Sequence, residues 1–141
     1  SSRSRVLYLA DNAGETVFDR ELVKELAGRG HEVTYAVHGG PVLNDALMED
    51  AREASLSEFA RLVTTGSDWV GLEWETCSPA FRDVFAGADA VIAKGQGYYE
   101  TMEDKAFAPD ETYFILKAKC RRVARSLGLK VGQAALVRKG G

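Results

Sequence analysis

Apolar residues in this 141-residue chain fall into short unbroken runs, separated by stretches where they recur at every third or fourth position. The first run, Val6-Leu7-Tyr8-Leu9-Ala10, predicts a strand covered on both faces, as in a parallel sheet. It stops at the polar turn Asp11-Asn12-Ala13-Gly14-Glu15. Val17, Phe18, Leu22, Val23 and Leu26 then carry the period of an amphipathic helix, and Gly28 and Gly30 end it. Glu32-Val33-Thr34-Tyr35-Ala36-Val37 reads as a second strand, so the chain opens on a βαβ unit.

After the turn His38-Gly39-Gly40-Pro41, residues 46–54 predict a helix that Asn44 or Asp45 would cap. Residues 61–65 predict a short strand ending at Gly66, and Ser78-Pro79 begins another helix with proline at a favoured early position. Ala90-Val91-Ile92-Ala93 is a further strand, followed by a turn at Lys94-Gly95-Gln96-Gly97. Thr112-Tyr113-Phe114-Ile115-Leu116 is another, followed by a cationic helix over 120–127 and a candidate last strand over 133–137. Strands alternating with helices predict an α/β domain with a mostly parallel sheet of about five strands, and one domain over residues 1–141.

Composition narrows the classes of function. Hydrophobic residues make up 45% and charged residues 28%, as in an ordinary globular domain long enough to bury a core. A formal charge of −3 argues against a nucleic-acid partner, which selects for a basic face. No apolar run reaches the ~20 residues a membrane span needs, and no secretion signal precedes the first strand, so a cytoplasmic protein without a membrane partner is expected. Cys77 and Cys120 match no zinc spacing and read as reduced thiols.

Ligands of open α/β sheets bind beyond the carboxyl ends of the strands. Three polar turns fall there: Asp11 to Glu15, Asn44-Asp45, and Lys94 to Gly97. Asp11, Asn12 and Asp45 offer two carboxylates and an amide oxygen, a hard donor set suited to Mg²⁺ or Mn²⁺. The same three residues could simply cap helices, although capping gives no reason for both Asp11 and Asn12. Gly95 and Gly97 would let backbone N–H groups approach an anion beside the Lys94 ammonium. A tight turn with a solvated lysine is the plainer reading of the same four residues. The spacing is neither a Walker loop nor a dinucleotide fingerprint. Glu15 and Glu100 are candidate general bases, or plain first-turn helix carboxylates. His31 and His38 read as surface histidines, Trp69 and Trp74 as packing or a pocket wall, and Arg121, Arg122 and Arg125 as a solvated face.

Four blocks carry a resemblance. Leu9-Ala10-Asp11-Asn12-Ala13-Gly14-Glu15 with Phe18-Asp19-Arg20 resembles the signature of the damage-control phosphatase family, long catalogued as domain of unknown function 89. So do Pro41-Val42-Leu43-Asn44-Asp45-Ala46, Val91-Ile92-Ala93-Lys94-Gly95-Gln96-Gly97, and Phe114-Ile115-Leu116-Lys117-Ala118-Lys119-Cys120, in family order. The resemblance implies a three-layer α/β/α Rossmann-like domain that hydrolyses phosphomonoesters, such as sugar phosphates, with a divalent metal (Mn²⁺, Mg²⁺, Co²⁺ or Ni²⁺). Carried over by motif, Asp11, Asn12 and Asp45 hold the metal and Lys94 contacts the substrate phosphate. Gly95 and Gln96 shape the substrate pocket, and Glu15 belongs to the signature with its role open.

Two departures qualify the transfer. Tyr98 stands where the family pattern has asparagine, and the helical portion that normally precedes the first strand is absent from this sequence. The expectation is therefore a metal-dependent phosphatase that is a fragment, one half of a split enzyme, or a minimal version. Its partner would be a helical chain or a second copy. The alternatives are a non-catalytic subunit that binds metal or phosphate, and a methyltransferase. The last lacks the glycine-rich loop that would seat its cofactor after the first strand.

Overall fold

The computed structural model describes residues 3–11, 16–39, 55–69 and 71–139. Six strands form one sheet in the order β3-β2-β1-β4-β5-β6. They are β1 Arg5–Leu9, β2 Glu32–Val37, β3 Arg61–Thr64, β4 Ala90–Lys94, β5 Thr112–Lys117 and β6 Ala134–Arg138. All neighbours run parallel except β5 and β6. The sheet is mostly parallel, as expected, with six strands against the expected five or so. The candidate last strand over 133–137 is β6, an antiparallel edge strand of alternating half-buried and exposed residues.

Four helices are described: α1 Thr16–Gly28, α2 Pro79–Ala86, α3 Gln96–Met102 and α4 Arg121–Leu127. The helix expected over 46–54 lies outside the described residues. The start of α2 follows its sequence signal: Pro79 sits at the first position, and the Phe81 amide donates to Ser78 Oγ at 3.1 Å. By contrast, α3 begins within the turn expected over 94–97 and carries Glu100, read from the sequence as a possible helix carboxylate. Its glycine and tyrosines are poor helix formers, but burying Tyr98, Tyr99 and Met102 on one face outweighs propensity.

Alternation along each strand divides the core into two layers. Leu7 and Leu9 of β1, with Val91 and Ala93 of β4, face the side covered by α2, α3 and α4. Tyr8 and Ala10, with Val33, Tyr35 and Val37 of β2, face the opposite side, where α1 presents Val23. This is the three-layer α/β/α arrangement that the family resemblance implied. Among the described residues no helix is long and apolar enough to cross a membrane.

One consequence of the strand order governs the site. From β1 the chain winds outward to β2 and β3, then returns to the other side of β1 with β4. The carboxyl ends of β1 and β4 therefore flank the topological switch point, where doubly wound sheets open a crevice.

Candidate functional site

Asp11 follows β1 by two residues, and Lys94 is the last residue of β4. Leu9 pairs with Ala93, so Asp11 comes level with Gly95 across the switch point. Gly95 has φ 98°, a left-handed value that disfavours a side chain. A Cβ built there would lie 2.7 Å from Asp11 Oδ2 and 2.9 Å from its Cγ. The missing side chain of Gly95 is the space the Asp11 carboxylate occupies. Gly95→Ala is expected to combine backbone strain with displacement of Asp11. On the expectation that Asp11 is a metal ligand, it should lower metal affinity by about 10- to 100-fold, as loss of a ligand's support typically does. Calorimetric titration of the variant with Mn²⁺ checks this; wild-type affinity would mean that Asp11 does not need that space.

Of the other expected ligands, Asn12 and Asp45 lie outside the described residues, as does Glu15. Among the described residues no three His, Cys, Asp or Glu side chains cluster as a metal site.

Lys94 is not a solvated lysine. It continues the alternation of Ile92 toward the α1 side and is buried. There its Nζ lies 3.0 Å from Asp19 Oδ1 and 4.6 Å from the centre of the Phe18 ring. Asp19 is itself 1% exposed and accepts the hydroxyls of Tyr8 and Tyr35, each at 2.6 Å. Tyr8 and Tyr35 are register partners on β1 and β2, with rings stacked 5.3 Å apart. Burial, and then the Asp19 carboxylate, push the Tyr35 phenol far above its ordinary range, so it remains a donor at any working pH.

In the sequence Asp19 stands out only as part of the Phe18-Asp19-Arg20 signature. The signal was present: Asp19 lies three, four and seven positions before Leu22, Val23 and Leu26, an acid on the buried stripe of a helix. Phe18, expected on that stripe, is 47% exposed instead.

His38 also departs from expectation. It is buried, because its position two residues after the inward-facing Ala36 keeps it on the same side of the sheet. There its ring stacks on Tyr98 of α3 at 5.1 Å, and its Nε2 lies 3.2 Å from the Gly71 carbonyl oxygen. Donation to that carbonyl puts the proton on Nε2 and leaves Nδ1 as an acceptor. His38 Nδ1 and the Tyr98 hydroxyl are both buried without a hydrogen-bond partner among the described residues. Tyr98, at the position of departure from the family pattern, thus packs beneath the rim.

Burial lowers the His38 pKa below its usual 6.5, while the Gly71 carbonyl and Asp11 oppose the shift. Folding therefore favours the neutral ring. The associated stability is complete above pH 6.5 and is lost as pH falls through the folded-state value. His38→Gln should flatten the decline in unfolding temperature between pH 7 and pH 5, measured without metal. An unchanged slope would remove His38 from the acid response.

The remaining candidates are engaged elsewhere. Gln96 Oε1 accepts the Lys119 amide at 2.7 Å, and Gln96 Nε2 donates to Glu100 at 2.7 Å, bracing α3 against the β5–α4 connection. Glu100 pairs with Arg122 at 2.8 Å and lies in the second half of α3, not in its first turn. His31 Nδ1 accepts the Ser4 amide. Trp74 packs against Phe85 and Phe107, whereas Trp69 is exposed. Cys77 and Cys120 are free thiols.

The sequence matches the family model of the damage-control phosphatase ARMT1-like domain over residues 1–135. It is 45% identical over 138 residues to an uncharacterised protein of Methanocaldococcus jannaschii, covering 96% of this chain and 45% of that one. Two proteins named damage-control phosphatases are similar as well. The one from Archaeoglobus fulgidus is 39% identical over 132 residues, covering 93% of this chain. The one from Pyrococcus horikoshii is 40% identical over 133 residues, covering 94%. The crystal structure of a DUF89 family protein from Pyrococcus horikoshii superposes with a TM-score of 0.80 at 35% identity, covering 96% of this chain and 47% of that one. The chain spans under half the length of each of these relatives.

Proposed function

From the premise that this chain belongs to the damage-control phosphatase ARMT1-like domain family, we propose that it carries the catalytic site of a divalent-metal-dependent phosphatase for small phosphorylated metabolites such as sugar phosphates. The observation that carries this reading is the Asp11 carboxylate held at the β1–β4 switch point over Gly95, the residue directly after Lys94 in the chain. A carboxylate seated where a Cβ would otherwise stand fits one arm of a cation site. With Asn12 and Asp45 the donor set is three hard oxygens, suited to Mg²⁺, Mn²⁺, Co²⁺ or Ni²⁺. A bound divalent cation supplies Lewis-acid neutralisation of the phosphoryl oxygens and a nucleophilic water.

The chain's own residues do the remainder. Asp11 supplies its carboxylate over Gly95, whose missing side chain keeps that space open. Lys94 directs one ammonium N–H into Asp19 and keeps its others for a phosphate oxygen. Water adds to phosphorus as the ester oxygen leaves and takes up a proton, giving an alcohol and inorganic phosphate. The test is phosphate release from a panel of sugar phosphates by chain stripped with chelator and then given Mn²⁺, Co²⁺, Ni²⁺ or Mg²⁺. Turnover that survives complete metal removal would defeat the metal-dependent mechanism.

The share of the relatives' length that this chain spans favours a second reading. In it, the domain binds metal and phosphate but turns over only with the remaining portion of the relatives, or with a helical partner that replaces it. Turnover by the isolated chain excludes this version; turnover restored only by adding the remaining portion of a relative establishes it.

A further inference from the structure

Beneath the strand-end crevice lies a buried carboxylate that the proposed reaction does not itself consume. Asp19 reaches the sheet from α1, and both its oxygens are engaged. Oδ1 accepts Tyr8 Oη and Lys94 Nζ, and Oδ2 accepts Tyr35 Oη. A carboxylate this deep is tolerated only with hydrogen bonds on both oxygens and an opposite charge against it. The arrangement goes further than tolerance requires. Two hydroxyls from directly paired residues of adjacent strands hold the two oxygens separately, which stops the carboxylate from rotating. An ordinary lysine ammonium swings on a four-carbon stem. This one is held at the end of β4 between a fixed oxygen at 3.0 Å and the Phe18 ring. Tyr8, Tyr35, Asp19 and Lys94 come from four different elements, so the position of the ammonium is set by the whole α1 side of the domain.

We infer that Asp19 is a positioning residue for anion recognition: it acts on the substrate phosphate only through Lys94, aiming that ammonium at the crevice between β1 and β4. The inference rests on the proposed contact between Lys94 and phosphate. The competing description is a purely structural ion pair that fastens α1 to β4.

The two differ in a thermodynamic cycle. The dissociation constant of inorganic phosphate is measured by calorimetry on the full, Mg²⁺-loaded chain, alongside its unfolding temperature. The four proteins are wild type, Lys94→Met, Asp19→Asn and the double variant. Lys94→Met should weaken phosphate binding about tenfold or more, as expected when a charge-assisted hydrogen bond is lost. Asp19→Asn should weaken it several-fold, and the double variant should bind no more weakly than Lys94→Met alone. Residues in direct contact are expected to be non-additive in this way. The double variant should also unfold at a higher temperature than Lys94→Met, because it no longer buries an uncompensated charge.

Wild-type phosphate affinity in Asp19→Asn, with weakened affinity in Lys94→Met, would overturn the positioning role and leave the phosphatase reading intact. Multiplicative losses in the double variant would overturn it equally, since Asp19 would then act independently of Lys94. Undiminished binding in Lys94→Met, or no binding by wild type, would remove the phosphate contact itself and this inference with it. Should Asp19→Asn fail to fold, Tyr8→Phe with Tyr35→Phe makes the same point with both charges kept. Freed from its two hydroxyls, the carboxylate should let phosphate binding weaken several-fold, and unchanged binding would count against the proposal.

Discussion

Asp11→Ala is expected to reduce metal-dependent phosphate release by on the order of a thousandfold or more in kcat/KM, about 4 kcal/mol of transition-state stabilisation. The size follows from position. Asp11 lies two residues beyond the central strand β1 at the switch point, and its carboxylate fills the space a Gly95 side chain would take. Alanine removes a charged oxygen donor from a site whose proposed ligands include only one other carboxylate. The loss should fall on metal affinity as well as on turnover, so raising the Mn²⁺ concentration should recover only part of the rate. The unfolding temperature should move little, because the half-buried Asp11 contributes no apolar packing. Phosphate release by the purified variant checks the prediction, and a rate within a factor of three of wild type would remove Asp11 from the site.

The largest effect on stability is expected at Lys94. Lys94→Met keeps most of the unbranched stem but leaves Asp19, at 1% exposure, without its counter-charge. Breaking one side of a buried ion pair costs about 3–5 kcal/mol, far more than the pair as a whole contributes. The two tyrosine hydroxyls remain on Asp19 and should keep the loss near the lower end of that range. Urea unfolding of variant and wild type measures it directly. A loss under about 1 kcal/mol would mean that the pair with Lys94 is not what keeps the Asp19 carboxylate tolerable in the core. The exposed pairs Arg29–Glu25 and Arg138–Glu111 should by comparison tolerate truncation with changes within about 1 kcal/mol.

How far the sequence disclosed this molecule depended on whether each signal was local. Strand β1 was readable because an uninterrupted apolar run has few other uses, and α2 because Ser78-Pro79 states its own cap. Helix α3 was hidden because its stability comes from burying Tyr98, Tyr99 and Met102, which only the folded sheet supplies. The rim itself was legible, since Asp11 and Lys94 both terminate apolar strands. What supports the rim was not. Tyr8 and Tyr35 looked like ordinary strand residues until the register placed both hydroxyls on one carboxylate. His38 sits among glycines, a context that usually marks a surface turn, and only the stacked Tyr98 ring shows that it is enclosed.

The ion pair between Asp19 and Lys94 joins residues 75 positions apart. It also joins the two wings of the sheet: one built outward from β1 through β3, the other from β4 through β6. Each wing gains local contacts as it forms, but neither holds both charges. Closing so long a loop delays such a contact until late in folding. Anion-binding competence should therefore appear only when the two wings dock, as the final event of folding rather than a property inherited from either wing. A chain with one wing assembled would hold one charge of the pair without its partner at the open seam.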